Sequence, residues 1–254
     1  MIDRYHMTQE ENIYYAKRNV VDYIWKSAKL EGLSVTFPDT EAIYNGITTN
    51  YVKVDEVVAI NNLKHAWQFM FETINYPFDY IYLCKLHQLV GSNLVLDAGY
   101  IRKFNVAMGG TTWKPEMPVE SDIKEKLSDL MNISNITERA ITVMLYCMRT
   151  QMFADGNKRV SMLAGNQIMI ANGKGIISVP IEKQEEFREK LLMFYESNNY
   201  GPMSNFVYDC CMDGFTPDRG KKEMIPDSNF FIKESRDREK TKNETMKKKT
   251  KISR

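Results

Sequence analysis

The chain has 254 residues, 43% hydrophobic and 26% charged, with 34 basic against 33 acidic side chains. That is enough apolar material for one large core, or for one core with a small appendage. No run of eighteen apolar residues occurs, and Met1 to Glu11 lacks the apolar segment of a signal peptide, so a membrane-spanning helix is excluded and a cytosolic protein is expected.

Helical periodicity begins at once. Thr8 and Glu11 make a capping box, and Ile13, Ala16, Val20, Ile24 and Ala28 recur on one face until Gly32 ends the helix. Ser27 and Glu31 share a face near its C-terminus and by themselves read as a solvated polar edge. Phe37-Pro38-Asp39 and Tyr44-Asn45-Gly46 are turn signals around a short helix. A long helix is expected from Val54 to Ile74, with Ile60, Leu63, Trp67 and Met70 inward and Pro77 beyond its end. Another runs from Asp79 to Val90, with Leu83, Leu86 and Leu89 on one face. His87 lies in that run and reads as a packed or surface residue, the alternative being a catalytic base brought in from elsewhere.

The periodicity breaks between Asp97 and Pro118, where Gly99, Gly109, Gly110 and Pro115 punctuate two short apolar runs, and a surface β-hairpin closing one end of the helical core is expected there. Further helices follow from Ser121 to Asn132, on either side of residue 155, from Glu182 to Asn198 and from Met203 to Met212. Cys84, Cys147, Cys210 and Cys211 fall in apolar runs without metal-ligand spacing and are expected as buried free thiols. With three scattered histidines, they give no zinc site.

Between two strongly apolar helical runs lies Gln151-Met152-Phe153-Ala154-Asp155-Gly156-Asn157-Lys158-Arg159. Ile141, Leu145 and Met148 precede it at helical spacing, and Val160, Leu163, Ile168 and Ala171 follow. The turn therefore feeds a helix N-terminus, where free N–H groups and the helix dipole favour an anion and Gly156 permits close approach. Lys158 and Arg159 add positive charge, Asn157 adds a neutral donor, and Asp155 is the group able to hold a divalent cation. Such a turn suits a metal-bound polyphosphate. A plain helix connection, with Asp155-Gly156 as turn residues and Asn157 as cap, accounts for the same spacing.

This pattern resembles the signature of the Fic (Fido) family, His-Pro-Phe-x-(Asp or Glu)-Gly-Asn-(Gly or Lys)-Arg, which marks an AMP-transfer site. Phe153 to Arg159 fit it in register; Gln151 stands in place of the catalytic histidine and Met152 in place of the proline. Ser27-Ala28-Lys29-Leu30-Glu31-Gly32 is similar to the family's inhibitory Ser-x-x-x-Glu-Gly helix, which implies that Glu31 projects into the nucleotide site and obstructs the γ-phosphate. Gly99 to Arg102 and Val106 to Pro115 resemble the Fic flap. That implies that Met108, Gly109, Gly110, Thr111, Thr112 and Trp113 lay a protein substrate across the turn through strand-edge hydrogen bonds.

The resemblance implies an all-α, Fido-type helical bundle with one short β-hairpin flap. Its parts are an N-terminal region with the inhibitory helix (1–53), a Fido core (54–216) and a basic tail (217–254). The implied ligands are ATP and Mg²⁺, with Asp155 on the metal, Gly156 and Asn157 cradling phosphate, and Lys158 and Arg159 neutralising it. The base position falls on Gln151, whose carboxamide takes no proton near neutral pH, so a factor of roughly 10² to 10⁴ in rate is at stake. Where many members carry a second arginine that pairs with the inhibitory glutamate, this chain has Met162. Arg159 or Lys158 is then the partner left for Glu31, and phosphoryl transfer stands beside adenylyl transfer.

From Arg219 to Arg254 there are 13 basic and 6 acidic residues, a balance of +7, so the first 218 residues carry −6 to leave the net +1. This segment is expected to be a disordered, solvated end, with nucleic acid or an acidic protein surface as the alternative partner. Two functional classes follow. One is an enzyme that moves AMP onto a protein hydroxyl under restraint by Glu31; the other is a pseudoenzyme that holds nucleotide on the turn or a peptide on the flap.

Overall fold

In the computed structural model, Thr8 opens α1 (Gln9–Leu30) through the expected capping box: its hydroxyl accepts from Glu11 N–H, and the Glu11 carboxylate accepts from Thr8 N–H. The structure describes residues 1–47 and 51–218. Thr48 to Asn50 and the basic segment 219–254, with its expected disorder and nucleic-acid alternative, lie outside the described residues. Thr36 and Asp39 repeat the capping device at α2 (Phe37–Tyr44), and Asp79 caps α4 (Tyr80–Val90) by accepting from Tyr82 N–H. Between these, α3 (Val54–Glu72) buries Ile60, Leu63, Trp67 and Met70 as the periodicity requires. Then come α5 (Glu120–Met131), α6 (Ile136–Thr150), α7 (Asn157–Ala171), α8 (Gln184–Ser197) and α9 (Tyr200–Cys210). The last begins three residues earlier than expected, because Pro202 falls in its first turn, where no N–H is needed, and Asn199 caps it.

The core is centred on α7, buried from Asn157 to Ile170 save Lys158 and packed on α1, α3, α4 and α6. A helix buried on every side needs such a ring, and its buried polar side chains Ser161, Asn166 and Gln167 all donate to main-chain carbonyls. Gly165 lets α6 come close: a Cβ there would lie 3.2 Å from Met144 Cβ and 3.3 Å from Ala140 O. Three asparagine side chains substitute for strand neighbours deep in the molecule. Asn12 exchanges two hydrogen bonds with the Gly175 main chain, Asn166 two with Ile177, and Asn157 two with Phe153. Buried main-chain groups are thereby satisfied where no strand lies alongside.

The all-α expectation holds, but the β-structure lies elsewhere than expected. The single two-stranded sheet among the described residues pairs β1 (Ile176–Ile177) antiparallel with β2 (Met212–Asp213), Ile176 opposite Asp213. Residues 97–118 form turns and extended segments without a ladder. The physical reason is that their donors go elsewhere: Arg102 N–H bonds Met152 O at 2.9 Å, and Trp113 N–H bonds the Thr111 hydroxyl. The cysteines are free; Cys147 and Cys211 are buried, whereas Cys84 and Cys210 are only partly so. No described helix is long and apolar enough to cross a membrane.

Candidate active site

The turn between α6 and α7 begins at Gln151, which ends α6 in the left-handed region (φ 47°), a costly conformation for a residue with a Cβ. Gly156 (φ 77°) precedes α7, whose N-terminus receives no side-chain cap. The first helical bond runs from Val160 N–H to Gly156 O, so the N–H groups of 156 to 159 lie ahead of it. Phe153 is fully buried and anchors the turn. Its main chain exchanges bonds of 3.0 and 2.9 Å with the Asn157 amide, so that side chain braces the turn instead of facing a phosphate as expected.

Under the turn sits His87, fully buried, its ring stacked on Phe153 at 3.8 Å and 4°. Gly99 N–H donates to its Nδ1 at 2.8 Å, and Nε2 lies 2.9 Å from Asp155 O. Burial pushes its pKa down to about 4. With both nitrogens engaged inside the core, His87 is not placed to receive a substrate proton. Arg102, also buried, spans from the turn to the flap: Nε donates to Gln151 O at 2.7 Å, while Nη1 and Nη2 donate to Phe104 O and Glu116 O. Its one sequence signal was its place in the Gly99 to Arg102 segment.

Glu31, the residue capping the C-terminus of α1, reaches this centre. Its Oε2 is 3.3 Å from Lys158 Nζ and its Oε1 3.9 Å from Arg159 Nε. Arg159 Nη2 pairs in turn with Asp155 at 3.2 Å. The structure thus brings Glu31, Asp155, Lys158 and Arg159 together and selects both cationic partners expected for Glu31. Arg159 Nε and Glu31 Oε1 are buried without a hydrogen-bond partner. Ser27 does not join the network; it lines a small cavity of about 20 Å³ with Arg159 and Met162.

Gln151 is buried and turned into the protein, its Nε2 donating to Met148 O at 2.6 Å and to the Tyr195 hydroxyl at 3.4 Å. Tyr195 also carries the flap. Trp113 stacks on it with centroids 5.3 Å apart, Arg149 lies 4.8 Å over the Trp113 ring, and the Thr111 hydroxyl donates to Glu196. Met108 packs on the core, while Gly109, Gly110 and Thr112 are exposed.

Residues 77–169 match the family model described as the Fic/DOC family. No curated protein matches the chain at a significant level. The structure is similar to a fragment of Fic-1 from C. elegans (20% identity, TM-score 0.63), covering 77% of this chain and 61% of that one. It is also similar to a Fic-domain-containing signaling protein from Bacteroides thetaiotaomicron VPI-5482 (14% identity, TM-score 0.66), covering 80% and 85% respectively. A Fic family protein from Desulfovibrio desulfuricans G20 is similar at 18% identity and TM-score 0.63, over 80% and 66%. The chain spans less than two thirds of the C. elegans fragment, and identities this low speak for the fold alone. With α6, the turn and all of α7 but its last two residues inside the matched span, and the same helical fold in these neighbours, residues 77–169 form a Fic/DOC family domain.

Proposed function

We propose that the turn binds ATP with Mg²⁺ and that the chain moves AMP from it onto a protein hydroxyl, slowly, under restraint by Glu31. The observation that carries this reading is the carboxylate of Glu31 held by Lys158 and Arg159 at the uncapped N-terminus of α7. This centre already binds an anion supplied by the chain itself, and a phosphate group is a stronger one. Arg159 Nε, 3.9 Å from Glu31 Oε1 and without a hydrogen bond, is a donor that a phosphate oxygen would satisfy. For the metal, Asp155 is a single carboxylate with a side chain 69% exposed. One such ligand, completed by phosphate oxygens and waters, suits Mg²⁺. The metal would neutralise charge developing on the phosphates.

In the reaction, the target oxygen bonds to the α-phosphorus, the bond to the bridging oxygen breaks, and pyrophosphate leaves. The hydroxyl proton goes to water or to a phosphate oxygen, because the Gln151 amide accepts no proton and is turned toward Met148 O. That orientation also favours a second reading, a pseudoenzyme that binds nucleotide without efficient turnover. In either case Glu31 competes with the nucleotide for Lys158 and Arg159.

Label transfer from α- and γ-labelled ATP, with Mg²⁺, onto the protein and onto cell lysate separates these readings. Native chain, Gln151→His and Glu31→Gly are compared. α-Label from Glu31→Gly exceeding that from the native chain is the expected outcome. Label only after Gln151→His identifies the pseudoenzyme, and γ-label alone identifies phosphoryl transfer. No label and no nucleotide binding in any chain refutes both nucleotide readings.

A further inference from the structure

His87 does more than fill space beneath the turn. Because Gly99 N–H donates to Nδ1, that nitrogen is the unprotonated one, and the ring proton resides on Nε2. Nε2–H therefore donates to Asp155 O. The peptide joining Asp155 to Gly156 is a rigid trans plane, whose carbonyl and N–H point in opposite directions. Holding the carbonyl on His87 aims the Gly156 N–H away from the ring, and among the described residues that N–H, on a buried glycine, donates no hydrogen bond. We propose that His87 is a positioning residue for the anion site, setting the direction of this one peptide. The inference rests on the turn binding an anion, as proposed above.

Glycine makes the constraint necessary. At φ 77° Gly156 is free to rotate its preceding peptide by roughly 180°, reaching φ near −100°, which glycine adopts equally well. That flip presents the Asp155 carbonyl to the phosphate in place of an N–H, replacing an attraction with a repulsion. His87 blocks it from below. Its other nitrogen fixes Gly99, so the 91–99 loop and the catalytic turn are tied through one ring.

Two amide replacements separate the two nitrogens. His87→Gln restores a donor near the Nε2 position, and His87→Asn restores only an acceptor near Nδ1; both lose the ring stack on Phe153. Gly156→Ala is an independent route to the flip, because alanine disfavours positive φ while its Cβ would meet its nearest neighbours at 3.6 Å, an ordinary contact. The experiment follows the Gly156 amide resonance of the full-length ¹⁵N-labelled chain and titrates ATP–Mg²⁺ and inorganic tripolyphosphate by calorimetry. Native and Glu31→Gly backgrounds are both used.

His87→Gln is expected to keep the resonance and an affinity within about threefold, while His87→Asn moves the resonance and weakens both ligands about tenfold or more. Gly156→Ala is expected to follow His87→Asn and carries the test if that variant does not fold. Equal affinity for His87→Gln and His87→Asn, or full affinity for Gly156→Ala, overturns the inference while leaving the anion site standing. Absence of binding in every chain, native and Glu31→Gly included, overturns the anion site and the inference with it.

Discussion

Replacing Arg102 with methionine should be among the most damaging single changes away from the charged centre. Methionine fills the space of the aliphatic stem but strips the donors from Gln151 O, Phe104 O and Glu116 O. A hydrogen bond from a charged donor contributes about 1.5 to 3 kcal/mol net. The bond to Gln151 O is fully buried and belongs at the upper end, whereas the other two are part-buried, and water can replace much of each. The sum is about 3 to 5 kcal/mol, a large share of the 5 to 15 kcal/mol typical of a domain. In urea, with a slope of about 2 to 3 kcal/mol/M, the midpoint should fall by about 1.5 M. Arg102→Lys should recover less than half, since an ammonium cannot span three carbonyls as a planar fork does. A loss below about 1 kcal/mol for Arg102→Met would show that the flap and turn do not depend on this strut, and the reasoning would fail.

Stability should also depend on pH through His87. Its folded pKa is depressed to about 4 from 6.5, so between these values the unfolded chain binds the extra proton. The contribution is present above pH 6.5 and is lost as pH falls toward 4, up to about 3 kcal/mol for this group. Urea midpoints measured from pH 7.5 to 4.5 should decline in the native chain and flatten in His87→Gln. Trp113→Ala removes a half-buried ring from Tyr195 and Arg149, at about 1 to 2 kcal/mol. Proteolysis within residues 104–117 should accelerate while cleavage elsewhere does not; a segment resisting protease as before would show that the Arg102 bonds and the Thr111 to Glu196 bond hold it without the ring.

The parts of the molecule legible in the sequence are those governed by local rules. Thr8 with Glu11 and the α1 stripe need only chain neighbours to form, and the structure places them as read. Asp155 and Gly156 were legible as turn residues, whereas Lys158 and Arg159, which the positive end of a helix dipole disfavours, stood out only as charges for an anion and through the motif resemblance. What escaped were pairings between distant segments. An asparagine at 157 reads equally as a phosphate donor or a brace, and only the proximity of Phe153 main chain decides. The glycine and apolar pattern at 97–118 suits a hairpin, but nothing local reveals that Arg102 would donate to Met152 O and Gln151 O. His87 was indistinguishable from any packed histidine until the backbone of Gly99 and the turn closed around it.

Lys158 and Met162 are best understood as a pair. They stand one helical turn apart on α7, and the cation implied at the second position by resemblance is absent while one is present at the first. The cation that Glu31 meets on this face is therefore the one in the first turn, Lys158, at 3.3 Å. In the function proposed above, an inhibitory carboxylate bound one turn deeper would leave room for phosphate at the helix end. Bound at the first turn, Glu31 occupies the same donors that a phosphate requires. Its release and nucleotide binding then become a single competitive exchange, so Glu31→Gly should act chiefly on nucleotide affinity.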